Sequence, residues 1–195
     1  MELINILIRT SSRPKEFIRC LKSVLDQDYP NVRIIVSIDN DSCDYVPIEL
    51  ETIRVYPNKN LPFFYDEYCN ELKSLVNDGY FLWLDDDDIL MPKVLNEIPF
   101  DHPAIIVKLN RNGQIYPISE DFRRGQIGMP NIILHHSLKD IANVTGTGQG
   151  DYVFIKEVIS KVPVKYVNKV LVYSFSRGLG KPSQNSKSIV NGSFI

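Results

Sequence analysis

Four consecutive carboxylates, Asp85 to Asp88, follow directly on the apolar run Tyr80-Phe81-Leu82-Trp83-Leu84. Two unit charges about 4 Å apart repel by roughly 4 kcal/mol at an effective dielectric near 20. Such a run therefore invites a divalent cation, although the run by itself is also compatible with a solvated acidic turn, since Asp is a common turn and cap residue. A second chemical station lies near the N-terminus. Thr10, Ser11 and Arg13 fall between an apolar segment and a helical pattern, where backbone N–H groups and the helix dipole favour an anion and an arginine adds charge-assisted hydrogen bonds.

These residues need elements to hold them. The run before Asp85 reads as a strand buried on both faces, as parallel strands are when helices cover the sheet. Its carboxylates then sit at the carboxyl end, where open α/β sheets bind ligands. The first 90 residues alternate strand and helix signals. Leu3 to Ile8 is predicted as a strand, and Ser12 as the cap of a helix with Pro14 in its first turn and Phe17, Leu21, Val24 and Leu25 on one face. Val32 to Ile38 and Ile53 to Tyr56 are predicted as strands two and three. Phe64, Tyr68, Leu72, Leu75 and Val76 mark a helix closed by Asn77-Asp78-Gly79.

Beyond Pro92, Ala104 to Leu109 and Gln114 to Ile118 form a predicted hairpin around Asn112-Gly113. Ser119 to Pro130 is predicted as a polar loop over the active face and Ile132 to Leu134 as a short strand. After the glycine-bearing segment 146–150, Asp151 opens a helix with Phe154, Ile155, Val158 and Ile159 on its apolar face. Val167 to Phe175 closes the core, and residues 176–195 are expected to form a flexible tail.

Composition narrows the function classes. A chain of 195 residues that is 44% hydrophobic can bury one sizeable core. With 22 Lys plus Arg against 24 Asp plus Glu, the formal charge is -2, so no global field recruits nucleic acid or an anionic membrane. Cys20, Cys43 and Cys69 have neither disulfide-framework nor metal-site spacing, which favours a reducing cytoplasm. No stretch resembles a signal segment or a bilayer span, and no glycine-rich dinucleotide fingerprint is present.

Taken in order, these stations resemble the GT-A glycosyltransferases, most closely the family 2-like enzymes that use a nucleotide-diphosphate sugar. The segment Ile6 to Pro14 is similar to that family's opening strand and turn. Ile35 to Ser42 resembles its second strand with the acidic turn, and Leu84-Asp85-Asp86-Asp87-Asp88 its metal-binding DxD signature. Asn60 and Asn70 fall at asparagine positions of the family, whereas Cys69 stands where an arginine is common.

The resemblance implies an α/β GT-A fold with a mostly parallel central sheet flanked by helices. It would be one domain over 1–195, with a nucleotide-binding half (1–95), an acceptor-side half (96–175) and the tail. It also implies Mn²⁺ or Mg²⁺, a UDP- or GDP-linked sugar as donor, and a glycan, lipid-linked or protein-linked sugar as acceptor. Asp87 is the expected direct metal ligand. Asp85 would contact the ribose, or the metal through water, and Asp39 the base. Thr10, Ser11, Arg13, Asn60, Asn70 and Asp86 are the other expected donor contacts, Asp86 being equally readable as solvent-facing and Asp88 as an acceptor-orienting or helix-capping residue.

Asp151, within Gly150-Asp151-Tyr152-Val153-Phe154, resembles the family's general base, the alternative being an ordinary N-cap. His136 is a minor candidate for an extra metal ligand, and Arg123, Arg124, Arg177 and Lys181 for closing over the diphosphate. The Gln-x-x-Arg-Trp element of processive synthases is missing, which favours transfer of a single sugar. A nucleotidyltransferase and a catalytically silent nucleotide-binding module are the two rival readings.

Overall fold

A computed structural model describes residues 1–38, 43–55, 66–145 and 149–175. Its elements run β1 (Ile4–Thr10), α1 (Pro14–Leu25), β2 (Val32–Ile38), β3 (Glu51–Arg54), α2 (Asp66–Ser74), β4 (Tyr80–Asp85) and β5 (Ile89–Leu90). They continue with β6 (Ala104–Arg111), β7 (Gln114–Tyr116), β8 (Ile132–His135), α3 (Gly150–Lys161) and β9 (Val164–Ser174), with short 3-10 turns at Val94–Glu97, Met129–Asn131 and His136–Leu138. Among the described residues the strands form one sheet in the order β3-β2-β1-β4-β8-β6-β9-β5, with β7 on β6.

Strands β3, β2, β1 and β4 are parallel, as their strand-helix alternation predicts. The second half is mixed. Its Asn112-Gly113 turn has φ of 51° and 90°, and a turn this tight joins only antiparallel strands, here β6 and β7. β8 runs antiparallel to both β4 and β6, while β9 returns parallel to β6.

Successive side chains alternate across the sheet, and this period sorts the site. Ile4, Ile6 and Ile8 of β1 and Tyr80, Leu82 and Leu84 of β4 join the core under α1 with Phe17, Cys20, Leu21 and Val24. Leu7, Phe81 and Trp83 join the opposite core, with Leu72 of α2 and Phe154, Ile155 and Val158 of α3. The same alternation carries Arg9 and Asp85, which are register partners, to the face covered by α2 and α3. Gly79 lets β4 start flush against β1: its φ is +68°, and a methyl group there would sit 2.1 Å from the Leu3 carbonyl oxygen that accepts the Tyr80 N–H.

Some expectations need correction. Ser12 does not cap α1. It adopts a left-handed conformation (φ 51°), and Arg13 occupies the cap position without a side-chain bond. Leu25 is exposed, one residue beyond the buried stripe that ends at Val24. The third strand lies earlier than predicted, at Glu51–Arg54, because its partners are Ile35 to Ile38 of β2. The segment 119–130 is not uniformly a polar loop: Phe122, Ile127 and Met129 are buried in the core beneath α3.

Candidate active site

The Asp run closes a tight turn in which the Asp88 N–H donates to the Asp85 carbonyl at 2.9 Å. Its four carboxylates have four different fates. Asp85, the last residue of β4, keeps a side chain 47% exposed and meets Arg9 at 3.5 Å. Asp86 is fully buried toward α1, where it ion-pairs with Arg13 and accepts the Thr10 hydroxyl at 2.8 Å. Asp87 lies 3.1 Å from the same Arg13 guanidinium, and its backbone carbonyl accepts from Arg19 at 2.8 Å. Asp88 is buried and accepts from the Ser174 hydroxyl and the Phe175 N–H at the end of β9. Arg19 also stacks over the Phe175 ring at 4.0 Å, so the end of β9 is tied to the turn twice.

Burial governs the protonation of this turn. Asp86 is pushed up to about 6 by desolvation, against the opposing pull of Arg13 and Thr10. Desolvation and the charge of Asp85 raise Asp87, and burial raises Asp88 well above the usual carboxylate range. The Tyr45 hydroxyl braces the assembly, 2.8 Å from the Thr10 hydroxyl and accepting the Arg13 N–H at 3.3 Å; burial first, then its bond to Cys43, pushes it up to about 12.

Thr10, Arg13 and Asp86 thus belong to an internal network that holds the turn. Thr10 and Arg13, expected as donor contacts, both pair here with Asp86, which is buried and not solvent-facing. Ser11 is half-buried beside them. The alternatives for Asp88 give way to its bonds with residues 174 and 175.

On the opposite face, α2 and α3 each bring an aspartate to the tip of β4. Asp151 lies in the first turn of α3, whose cap is Gln149, so it is not the N-cap. It accepts the Met129 N–H, and desolvation followed by the charge of Asp85 raises its carboxyl, while Arg9 and Arg111 oppose the shift. A methyl group at Gly128 would sit 3.4 Å from Asp151 Oδ2 and 3.8 Å from Arg111 Nη2. The end of segment 119–130 therefore lies beside Asp151. Asp66, at the start of α2, is buried, and among the described residues neither of its carboxylate oxygens is hydrogen-bonded.

Asn70, expected as a donor contact, ties α2 to the segment before α3. Its amide both donates to the Val144 carbonyl (2.9 Å) and accepts the Val144 N–H (3.0 Å). One turn on, the buried Lys73 donates to the Lys139 and Ala142 carbonyls and to Asn143 Oδ1 at 2.5 to 2.8 Å. Together they clamp the segment that leads into α3. His136 is excluded from the Asp cluster, because its N–H bonds Gly79 at the opposite end of β4. Arg123 is exposed and pairs with Asp121, and Arg124 is exposed as well. Asp39, Asn60, Arg177 and Lys181 lie outside the described residues.

Arg9, Asp66 and Arg111 are the residues that sequence reasoning missed. A signal existed for Arg9: period two from Leu7 places it on the face of Asp85. For Asp66 and Arg111 only the tertiary fold brings them near Asp151.

The donor set fits a hard cation in part. Asp85 offers exposed carboxylate oxygen at the strand tip, whereas Asp87 is engaged by Arg13. Among the described residues no group of three or more His, Cys, Asp or Glu is arranged to hold a metal by itself. A cation of the Mg²⁺ type, which binds through one or two carboxylates and substrate phosphates, matches that donor set.

The sheet order, the covering helices and the acidic turn after β4 make up a GT-A-like fold, shared with glycosyltransferases of known structure. The crystal structure of S. aureus TarS superposes with a TM-score of 0.71 at 16% identity, over 89% of this chain and 37% of that one. Residues 1-349 of S. aureus TarS in complex with UDP-GlcNAc give 0.67 at 14% identity, over 94% and 61%. The mannosyltransferase PcManGT from Pyrobaculum calidifontis, in complex with GDP-Man and Mn²⁺, gives 0.65 at 10% identity, over 89% and 56%. The chain thus spans between 37% and 61% of the chains in these structures. No protein-family model matches the sequence, and neither does any curated protein. Among the described residues no helix is long and apolar enough to cross a membrane.

Proposed function

We propose that the chain is a glycosyltransferase that moves one sugar from a nucleotide-diphosphate sugar to an acceptor hydroxyl, with inversion and with Asp151 as general base. The observation that carries this reading is the convergence of Asp85, Arg9 and Asp151 on one face of a GT-A-like sheet, at the carboxyl ends of β1 and β4. The donor class is supported by the complexes of the structural relatives, one with UDP-GlcNAc and one with GDP-Man and Mn²⁺.

Each residue has a physical task. Asp85, with Asp87 once Arg13 yields, would hold Mn²⁺ or Mg²⁺ together with the diphosphate. When bound, that ion supplies stabilisation of the negative charge that grows on the departing nucleoside diphosphate. Arg9 adds a second positive charge beside Asp85. Asp39 and Asn60 remain assigned to the nucleotide by resemblance. Asp151 takes the proton of the acceptor hydroxyl as its oxygen bonds to the anomeric carbon and the sugar–phosphate bond breaks. Its raised affinity for protons suits a base working near neutral pH. The acceptor is a sugar-bearing glycan, lipid or protein. The three cysteines are free thiols, which supports a reducing cytoplasm as the site of action.

Incubation with UDP- and GDP-linked sugars and Mn²⁺ is expected to release nucleoside diphosphate, at a rate that a sugar acceptor increases. Release of pyrophosphate from a nucleoside triphosphate and sugar phosphate would instead identify a nucleotidyltransferase. Nucleotide binding without turnover under any of these conditions would identify a silent binding module.

A further inference from the structure

Asp66 is a buried carboxylate at the site that the proposed mechanism leaves unused. It is 5% exposed, and among the described residues neither carboxylate oxygen has a hydrogen-bond partner. An unpaired buried carboxylate is costly, and most buried polar groups are satisfied. Nor is it a packing accident at a distance from the chemistry. A methyl group on Gly150, the residue before Asp151, would sit 3.0 Å from Asp66 Oδ2. The first turn of α3 therefore rests against this carboxylate, and the glycine is what permits the approach.

We propose that Asp66 is a positioning residue for Asp151: a second buried carboxylate whose charge, when present, makes the neighbouring base a stronger proton acceptor. The inference rests on the glycosyl-transfer reading of Asp151. Two carboxylates in one poorly solvated space do not both ionise readily, and the pair loses its protons in two steps that belong to it jointly. Desolvation and then the charge of Asp85 raise Asp151, while the Met129 N–H, Arg9 and Arg111 favour its ionised form. Asp66 faces Asp151 from α3 and Arg9 from β1. Burial, then the charge of Asp151, pushes it up to about 7, with Arg9 pulling the other way. Cys69, also on α2, is held as a neutral thiol by burial.

The sign follows. Below about pH 7 Asp66 carries its proton and Asp151 works alone. Above it, ionised Asp66 repels the charge on Asp151, and transfer of the acceptor proton to Asp151 relieves that repulsion. The rate should therefore rise through this range by an increment that Asp66 alone supplies.

Two measurements decide it. In transfer assays, kcat of Asp66→Asn should equal the wild-type value within about twofold at pH 6 and fall roughly threefold to tenfold below it at pH 8, with KM for the donor unchanged. In carbon-detected NMR of the Asp carboxyls, Asp66 should titrate near neutrality in the wild type and at lower pH in Asp151→Asn. A uniform loss of rate at all pH values, an ordinary carboxylate titration for Asp66, or a titration indifferent to Asp151→Asn would overturn the proposal. Absence of any turnover in the wild type would instead count against the transferase reading, while the NMR comparison would still decide whether the two carboxylates are coupled.

Discussion

Replacing Asp151 with asparagine is expected to lower kcat by about 10²- to 10⁴-fold, the usual contribution of a positioned general base. Donor affinity should change little, because Asp151 stands beside Gly128 and Arg111 and accepts the Met129 N–H, a bond that the asparagine carbonyl reproduces. Burial and the charge of Asp85 both raise the Asp151 carboxyl, so the wild-type rate should rise from a limb above the ordinary carboxylate range, and the variant should lose that limb. Steady-state kinetics across pH, with calorimetric titration of the nucleoside diphosphate, checks both parts. Equal kcat in the two proteins would remove Asp151 from the chemistry.

Arg13→Met should be the most damaging change to the fold of the site. The guanidinium pairs with both Asp86 and Asp87, and its loss leaves two buried carboxylates without their counter-ion. Breaking a buried pair by removing one partner costs about 3–5 kcal/mol. The cost depends on pH. Burial raises Asp86 to about 6, above the value of an unfolded chain, so its folded form keeps a proton that the unfolded chain releases between the ordinary carboxylate range and that point. As pH rises through 6 the ionised Asp86 needs Arg13. As pH falls, protonation neutralises it and the need fades. Chemical denaturation should show a large loss of stability at pH 8 that shrinks below pH 6. A loss independent of pH would show that Arg13 acts through packing alone.

The pairing of Arg13 with Asp86 and Asp87 is the kind of feature that local sequence signals do not carry. The strand before Asp85, the hairpin at Asn112-Gly113 and the helix bearing Asp151 were legible, because each rests on local signals: an unbroken apolar run, a dipeptide suited to positive φ, and a 3-4 apolar period. What sequence could not tell was which way the polar groups face. Thr10 and Arg13 sit at a strand-to-helix turn, and local rules assign that turn to an anion from outside. The protein supplies the anion itself, in Asp86, through a pairing 76 residues apart in sequence.

The Asn70 clamp is equally hidden from local rules, since its partner Val144 is 74 residues away. Asp66 lacked any local signature, because an acidic residue in the first turn of a helix is ordinary. Only burial and the approach of Gly150 distinguish it. The mixed half of the sheet was harder to foresee than the parallel half, because β8 inserts between β4 and β6 through pairings that no loop length dictates.

The central claim is that the tip of β4 grips a donor diphosphate through a divalent ion. Isothermal titration of UDP and GDP, with and without Mn²⁺, into the wild type and into Asp85→Ala with Asp87→Ala tests it most directly. Tight binding of one nucleotide that requires Mn²⁺ and disappears in the double variant is the expected result. Binding that is indifferent to Mn²⁺ and survives the loss of both carboxylates would contradict it.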